Sequence, residues 1–167
     1  MGELHPTVEM LSPLLGVWEG RGSGEYPTIA GFDYLESVTF AHVGKPFLTY
    51  TQRTTAADDG RPLHSETGYL RVDEHNRAEL VIAHPTGITE LDEGLLEITA
   101  GGIILRLAST TIGLSGSAKA VHAVERIFEF DGDELRYRVA MAAVGQPMTH
   151  HLQAHLERTP QRLRTPA

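Results

Sequence analysis

The chain has 167 residues, a formal net charge of −8 and no cysteine. This length fits one domain with its own core, and the lack of thiols excludes disulfides, iron–sulfur clusters and thiolate catalysis. The acidic balance, without a Lys/Arg run, argues against nucleic acid as a partner. No stretch approaches the roughly 20 apolar residues of a membrane span, and no signal peptide is recognisable, so we expect a cytoplasmic protein.

The one helix-like segment lies near the N-terminus and is short. Thr7 is a candidate cap, apolar residues form one face as far as Leu15, and Pro13 limits the segment to one or two turns. We expect a flexible N-terminus over residues 1–8, a single domain over residues 9–158 and a disordered tail over residues 159–167.

Short segments of alternating apolar and polar residues, separated by glycine-containing turns, fill most of the remaining chain. The predicted strands are Gly16–Gly24, Tyr34–Val43, Phe47–Thr55, Leu63–Val72, Ala78–His84, Gly87–Leu91, Leu95–Thr99, Ile103–Thr110, Val121–Phe130, Glu134–Ala143 and Thr149–Arg158. This pattern predicts an all-β antiparallel barrel or sandwich. The short hairpin connections favour an up-and-down meander closed into a barrel, which at this size can enclose one ligand.

Glycine recurs at every second position of the first strand, around Gly16, Trp18, Gly20 and Gly22. One face of this strand therefore carries almost no side chains, so backbone or a ligand can approach it closely, or the strand can bend sharply. A barrel corner with Trp18 filling one end is the structural alternative to a ligand-facing strand. A phosphate-binding loop is disfavoured because no Lys-Ser/Thr pair follows the glycines.

Together with motifs further along the chain, this strand resembles the nitrobindin family, whose members are related to the fatty-acid-binding barrels. The motifs that carry the resemblance are Gly16–Gly22 running into Tyr26-Pro27-Thr28, then Phe40–Phe47, Leu63–Tyr69, His84–Gly87, and Gln146–Thr149 followed by His151-Leu152. They cover about residues 9–158, and their order resembles that of the actinobacterial members. The resemblance implies a ten-stranded antiparallel barrel of the calycin type that holds one ferric haem b per subunit.

The resemblance also implies that His151, in the last strand, is the axial ligand of the haem iron. A neutral imidazole is a suitable iron ligand, and a single histidine leaves the opposite face of the iron open. Thr28, His64, His84 and Met141 are the further cofactor-binding positions that it implies. For His64 and His84, half-exposed strand histidines without a ligand role are the alternative.

The alternation of apolar and polar residues in the last strand does not favour His151 as the inward-facing histidine. His150 shares its parity with the apolar residues Leu152, Ala154 and Leu156, so simple alternation turns His150 inward. Either the strand is bulged, or its apolar face packs outside the pocket. His151 is the preferred ligand, and His150 and His155 are the alternatives.

Other charged residues and histidines give weaker signals. Candidates to meet the haem propionates are Lys45, Arg53, Arg21 and Arg71, but solvated strand charges are the preferred interpretation of each taken singly. None of the nine histidines falls into a His-Glu-x-x-His pattern, which disfavours a hydrolytic metal site.

Three functions are compatible with these residues. The family chemistry implies an enzyme, a ferric haem protein that isomerises peroxynitrite to nitrate. The same haem could instead bind nitric oxide reversibly, as a sensor or carrier. A carrier of apolar ligands without haem is the third hypothesis, and the histidine in the final strand argues against it. A homodimer is left open.

Overall fold

A computed structural model describes residues 3–160 and shows a closed barrel of ten antiparallel strands preceded by a 3-10 helix, Pro6–Leu14. The strands are β1 (Gly16–Tyr26), β2 (Ile29–His42), β3 (Leu48–Ala56), β4 (Pro62–Val72), β5 (Arg77–His84), β6 (Ile88–Ile98), β7 (Gly102–Leu114), β8 (Val121–Asp131), β9 (Glu134–Ala143) and β10 (Thr149–Arg158). Each strand pairs with the next along the chain, and β1 pairs with β10 to close the barrel. The predicted up-and-down barrel is therefore confirmed. Within residues 3–160, no helix has the length and apolar character needed to cross a membrane.

Two of the strands predicted from the sequence form one strand in the structure. The predicted strands Gly87–Leu91 and Leu95–Thr99 form the single strand β6, which pairs with β5 and β7 through residues 91–94. The register of the pairing between β6 and β7 shifts between Leu91 and Asp92. The turn-like composition of this stretch is misleading because Asp92 points into the barrel, where it is completely buried.

The helix begins earlier than its predicted cap. His5 caps it, since its Nδ1 accepts a hydrogen bond from the Thr7 amide at 3.2 Å, and Val8 is completely buried. The helix thus starts inside the stretch 1–8 that the sequence predicts to be flexible. Residues 1–2 and, from the predicted tail, residues 161–167 lie outside the described part of the chain.

Trp18 and the helix seal one end of the barrel. The Trp18 side chain is completely buried, and its Nε1 donates a hydrogen bond to the Leu14 carbonyl at 2.9 Å. Its ring meets the Phe130 ring edge-on at 5.3 Å, and the Arg158 guanidinium lies 4.2 Å from its centroid. This agrees with the interpretation in which Trp18 fills one end of the barrel.

Glycines of β1 allow other groups to approach the strand at very short range. A Cβ at Gly22 would lie 2.2 Å from the Tyr34 ring, and one at Gly24 would lie 2.3 Å from the Phe32 ring. A Cβ at Gly20 would lie 2.2 Å from the backbone oxygen of His155. Aromatic rings of β2 and the backbone of β10 therefore occupy the space that these glycines leave.

The strand directions place five connections at the end opposite to the helix: β1–β2, β3–β4, β5–β6, β7–β8 and β9–β10. We call this end of the barrel the site end. Between it and the sealed end, the barrel interior contains an apolar core and a set of buried polar side chains.

Candidate functional site

The residues expected to bind the cofactor all belong to the site end. Thr28 lies in the β1–β2 turn, His64 near the start of β4 and His84 at the end of β5. Met141 lies near the end of β9 and His151 near the start of β10. The up-and-down topology thus places at one end of the barrel residues that lie far apart in the sequence, from Thr28 to His151.

Strand β10 carries a bulge at His151. Thr149 pairs with Met141, His150 with Ala140 and Leu152 with Val139, so His151 is the extra residue in β10. The bulge changes the parity of the strand: His150 pairs with Ala140, between the inward positions Val139 and Met141, and is on the outer face. The expectation from simple alternation, that His150 points inward, is wrong because the strand does not alternate here.

The His151 imidazole is oriented by the neighbouring strand. Its Nδ1 lies 3.0 Å from the Glu25 carbonyl oxygen, which can only accept, so Nδ1 carries a proton and Nε2 is the free nitrogen of the neutral ring. The ring meets the buried Tyr26 ring edge-on at 5.4 Å. Burial lowers the pKa of His151, outweighing the hydrogen bond to Glu25. His151 is therefore a neutral imidazole with an unprotonated Nε2, the form that binds metal ions.

Tyr26 fixes the end of β1 that supplies this carbonyl. Its hydroxyl accepts a hydrogen bond from the Ala143 amide at 3.0 Å and lies 3.1 Å from the Met141 carbonyl, to which it donates. Sequence reasoning missed this role and emphasised Thr28, which is exposed in the turn that follows. The signal was present in the Tyr-Pro-Thr motif, where Tyr26 has the inward parity of Trp18.

His64 and His84 contact each other on neighbouring strands. Their Nε2 and Nδ1 atoms, respectively, lie 3.0 Å apart, and each atom lies 3.7 Å from a Glu66 carboxylate oxygen. The other nitrogen of His84 lies 2.8 Å from a Glu90 oxygen. The His84 side chain is only 6% exposed and that of His64 is 31% exposed, so His84 is not a half-exposed strand residue.

Arg126 lies at the centre of a buried ionic cluster that the sequence analysis did not find. Its guanidinium contacts Glu66 at 3.3 Å, Glu90 at 3.0 Å and Asp92 at 3.1 Å. Burial opposes ionisation of Glu66, but the charge of Arg126 and the contact with His64 outweigh it and hold the pKa of Glu66 below its ordinary range. Burial raises the pKa of Asp92 to about 7, against the attraction of Arg126 and with repulsion from Glu90. The available signal was that Arg126 shares its parity with inward apolar residues of β8.

A second buried network links β2, β3 and β9. Glu36 accepts hydrogen bonds from the Tyr137 hydroxyl at 2.7 Å and from Gln52 Nε2 at 2.8 Å. The Tyr137 and Tyr34 hydroxyls lie 2.8 Å apart. Burial raises the pKa of Glu36 to about 7 although both hydrogen bonds favour its ionised form. The interior therefore contains carboxyl groups that change protonation near neutral pH.

The remaining candidates do not join the site end. His155 is exposed and lies 3.5 Å from Glu134. Lys45 lies in the β2–β3 turn near the sealed end, Arg71 pairs with Glu79 at 3.5 Å, and Arg21 and Arg53 are exposed on the outside of the barrel. The strand positions of the three arginines face outward and Lys45 lies at the other end, which favours the interpretation of all four as solvated charges.

A barrel sealed at one end, with an oriented neutral histidine near the other, has the features of a ligand-enclosing β-barrel with a metal-binding imidazole. The family model described as "THAP4-like, heme-binding beta-barrel domain" matches residues 7–158. The chain therefore belongs to this family of haem-binding β-barrels, and the resemblance to nitrobindins is confirmed.

The chain is similar in sequence to several mycobacterial proteins. The chain is 61% identical to "Peroxynitrite isomerase 1" of Mycolicibacterium paratuberculosis over 156 residues, 93% of this chain and 97% of the relative. It is 57% identical to "Peroxynitrite isomerase 1" of Mycobacterium tuberculosis strain H37Rv over 159 residues, with the same coverage. A crystal structure of Rv2717c from M. tuberculosis superposes with a TM-score of 0.91 at 56% identity, covering 94% of this chain and 99% of that one.

Proposed function

We propose that this protein is a haem-dependent peroxynitrite isomerase, which binds one ferric haem b at the site end through His151 and converts peroxynitrite to nitrate. The observation that carries the proposal is the orientation of the His151 imidazole, whose Nδ1 lies 3.0 Å from the Glu25 carbonyl oxygen. Relatives that share 55–61% of the sequence, over nearly their whole length, are named peroxynitrite isomerase.

The donor set at the site end fits haem. A proximal histidine commonly donates its second ring N–H to a backbone carbonyl or carboxylate, which fixes the ring orientation and makes the metal-binding nitrogen more basic. The contact between His151 Nδ1 and the Glu25 oxygen has this form. Burial lowers the pKa of His151, which favours the neutral imidazole that binds metal ions.

The isomerisation keeps all atoms and the single negative charge of peroxynitrite, so the protein need not supply electrons or protons overall. When bound, the ferric haem would supply a Lewis acid for this reaction. His151 would hold and orient the haem, and Tyr26 would fix the strand end that positions His151. The partly buried Met141 and Leu152 would give the haem an apolar surface that limits access of water.

Thr28, His64 and His84 remain proposed haem contacts. Thr28 is exposed at the rim and His64 is the more accessible of the two histidines, so these two residues are suited to the edge of the pocket. Three further points also stay predictions: that the haem can bind nitric oxide, that the protein is cytoplasmic and that it can form a homodimer.

The proposal is tested by stopped-flow measurement of peroxynitrite decay, with nitrate and nitrite quantified at the end. Haem-loaded protein should accelerate the decay in proportion to its concentration and raise the nitrate fraction. His151→Ala should lose this effect, whereas His150→Ala, on the outer face of the bulge, should keep it. If the haem-loaded protein gives no acceleration, the enzyme proposal is refuted and reversible nitric oxide binding by the same haem becomes the better account.

A further inference from the structure

The contact between His64 and His84 includes a third potential metal ligand, Glu66. The distances among His64 Nε2, His84 Nδ1 and Glu66 Oε1 are 3.0, 3.7 and 3.7 Å. The nearest point equidistant from the three atoms lies about 2.0 Å from each, at the lower end of the usual Zn–N and Zn–O bond lengths of about 2.0–2.2 Å. The three donor atoms thus already surround a position of the right size for a metal ion.

We propose that His64, His84 and Glu66 form a binding site for a divalent first-row transition metal, of which Zn²⁺ is the representative, separate from the haem iron. Two imidazoles and one carboxylate are ligands that such ions accept. Three protein ligands leave one position of a tetrahedral site open for water. The site lies on β4 and β5, across the barrel from β10 and His151.

The surroundings of His84 support a metal ligand. A metal-bound histidine usually donates its second ring N–H to a carboxylate, a backbone carbonyl or water, and Glu90 Oε1 lies 2.8 Å from His84 Nε2. This nitrogen is buried and lacks a well-aligned hydrogen bond in the present arrangement, although the Glu90 oxygen is close.

The charge of the barrel interior also favours a cation. Among the buried residues of the described chain, the carboxylates of Glu36, Glu66, Glu90 and Asp92 face a single guanidinium, that of Arg126. Buried carboxylates in excess of cations are costly unless they are protonated or paired. A divalent cation beside Glu66 would offset part of this excess, and Glu66 would be shared between the metal and Arg126.

The alternative is a metal-free hydrogen bond in which His64 Nε2 donates to His84 Nδ1. Equilibrium dialysis of the full chain as purified, against buffered Zn²⁺ and with haem content measured in the same sample, distinguishes the two. We expect one zinc ion per chain at saturation. His84→Gln should weaken zinc binding by at least about tenfold. His75→Gln, in the exposed β4–β5 turn, is the matched control and should bind like the wild type.

Zinc X-ray absorption of the loaded protein identifies the ligands directly. Two imidazoles and oxygen ligands at about 2.0 Å are the expected first shell. His64→Gln should also lose zinc, which guards against misfolding of a single variant, and far-ultraviolet circular dichroism of each variant verifies the barrel. His151→Ala should retain zinc, which separates this site from the proposed haem ligand. Absence of zinc binding, or equal binding by wild type and His84→Gln, would overturn the proposal.

Discussion

Glu36 makes the stability of the barrel depend on pH. The side chain is 4% exposed, and burial raises its pKa from 4.5 to about 7, in spite of hydrogen bonds from Tyr137 and Gln52. The folded protein therefore binds the Glu36 proton more tightly than the unfolded chain does. The resulting stabilisation is fully present below pH 4.5 and is lost as the pH rises through about 7. Between pH 5 and pH 8 we expect Glu36 to lose about 2.5 kcal/mol of stabilisation.

Urea unfolding at pH 5 and pH 8 isolates this contribution. Glu36→Gln is neutral at both pH values, so the difference in free energy of unfolding between wild type and variant should change by about 2.5 kcal/mol in favour of the variant at pH 8. Other titrating groups are common to both proteins and cancel. Glu93→Gln, on the exposed face of β6, should follow the wild type at both pH values. A change below about 0.5 kcal/mol for Glu36→Gln would refute the reasoning.

Two further substitutions test the packing and the ionic cluster. Gly22→Ala should destabilise the barrel by about 1–3 kcal/mol, because the new methyl group must displace the buried Tyr34 ring. In chemical denaturation, Gly116→Ala is its control, since nothing lies within 4 Å of a Cβ there, and equal effects at both positions would contradict the account. Arg126→Met should cost about 3–5 kcal/mol at pH 8, because it leaves Glu66 and its neighbouring carboxylates without a cation. The loss of stability should be smaller at pH 5, where the carboxyl groups with a raised pKa are protonated. A melting temperature of Arg126→Met equal to that of the wild type at pH 8 would rule out this prediction.

The fold could be predicted from local patterns because each hairpin is built from adjacent segments. Alternation in β9 and the glycine-containing turns define neighbours that the structure confirms. The pattern failed at β6, where Asp92 looks like part of a turn. Its burial depends on Arg126, a residue 34 positions away whose contact leaves no local trace in the sequence.

In the candidate site too, the sequence predicted some features and missed others. The position of His151 came from motif resemblance, because the bulge that turns it away from strict alternation is a backbone irregularity that residue types do not reveal. The contact of His64 and His84 with Glu66 depends on the pairing of β4 with β5 and on side-chain orientation. The zinc patterns sought along the sequence place both histidines on one helix, so they could not detect ligands on two strands.

The most direct test of the account is the absorption spectrum of the ferric haem-loaded protein with and without His151. Wild type should give a Soret band typical of five-coordinate haem bound to histidine. His151→Gly should lose this signature, and added imidazole should restore it, whereas His150→Gly should match the wild type. A His151→Gly protein that keeps the wild-type spectrum without imidazole would contradict the assignment of His151 as the haem ligand.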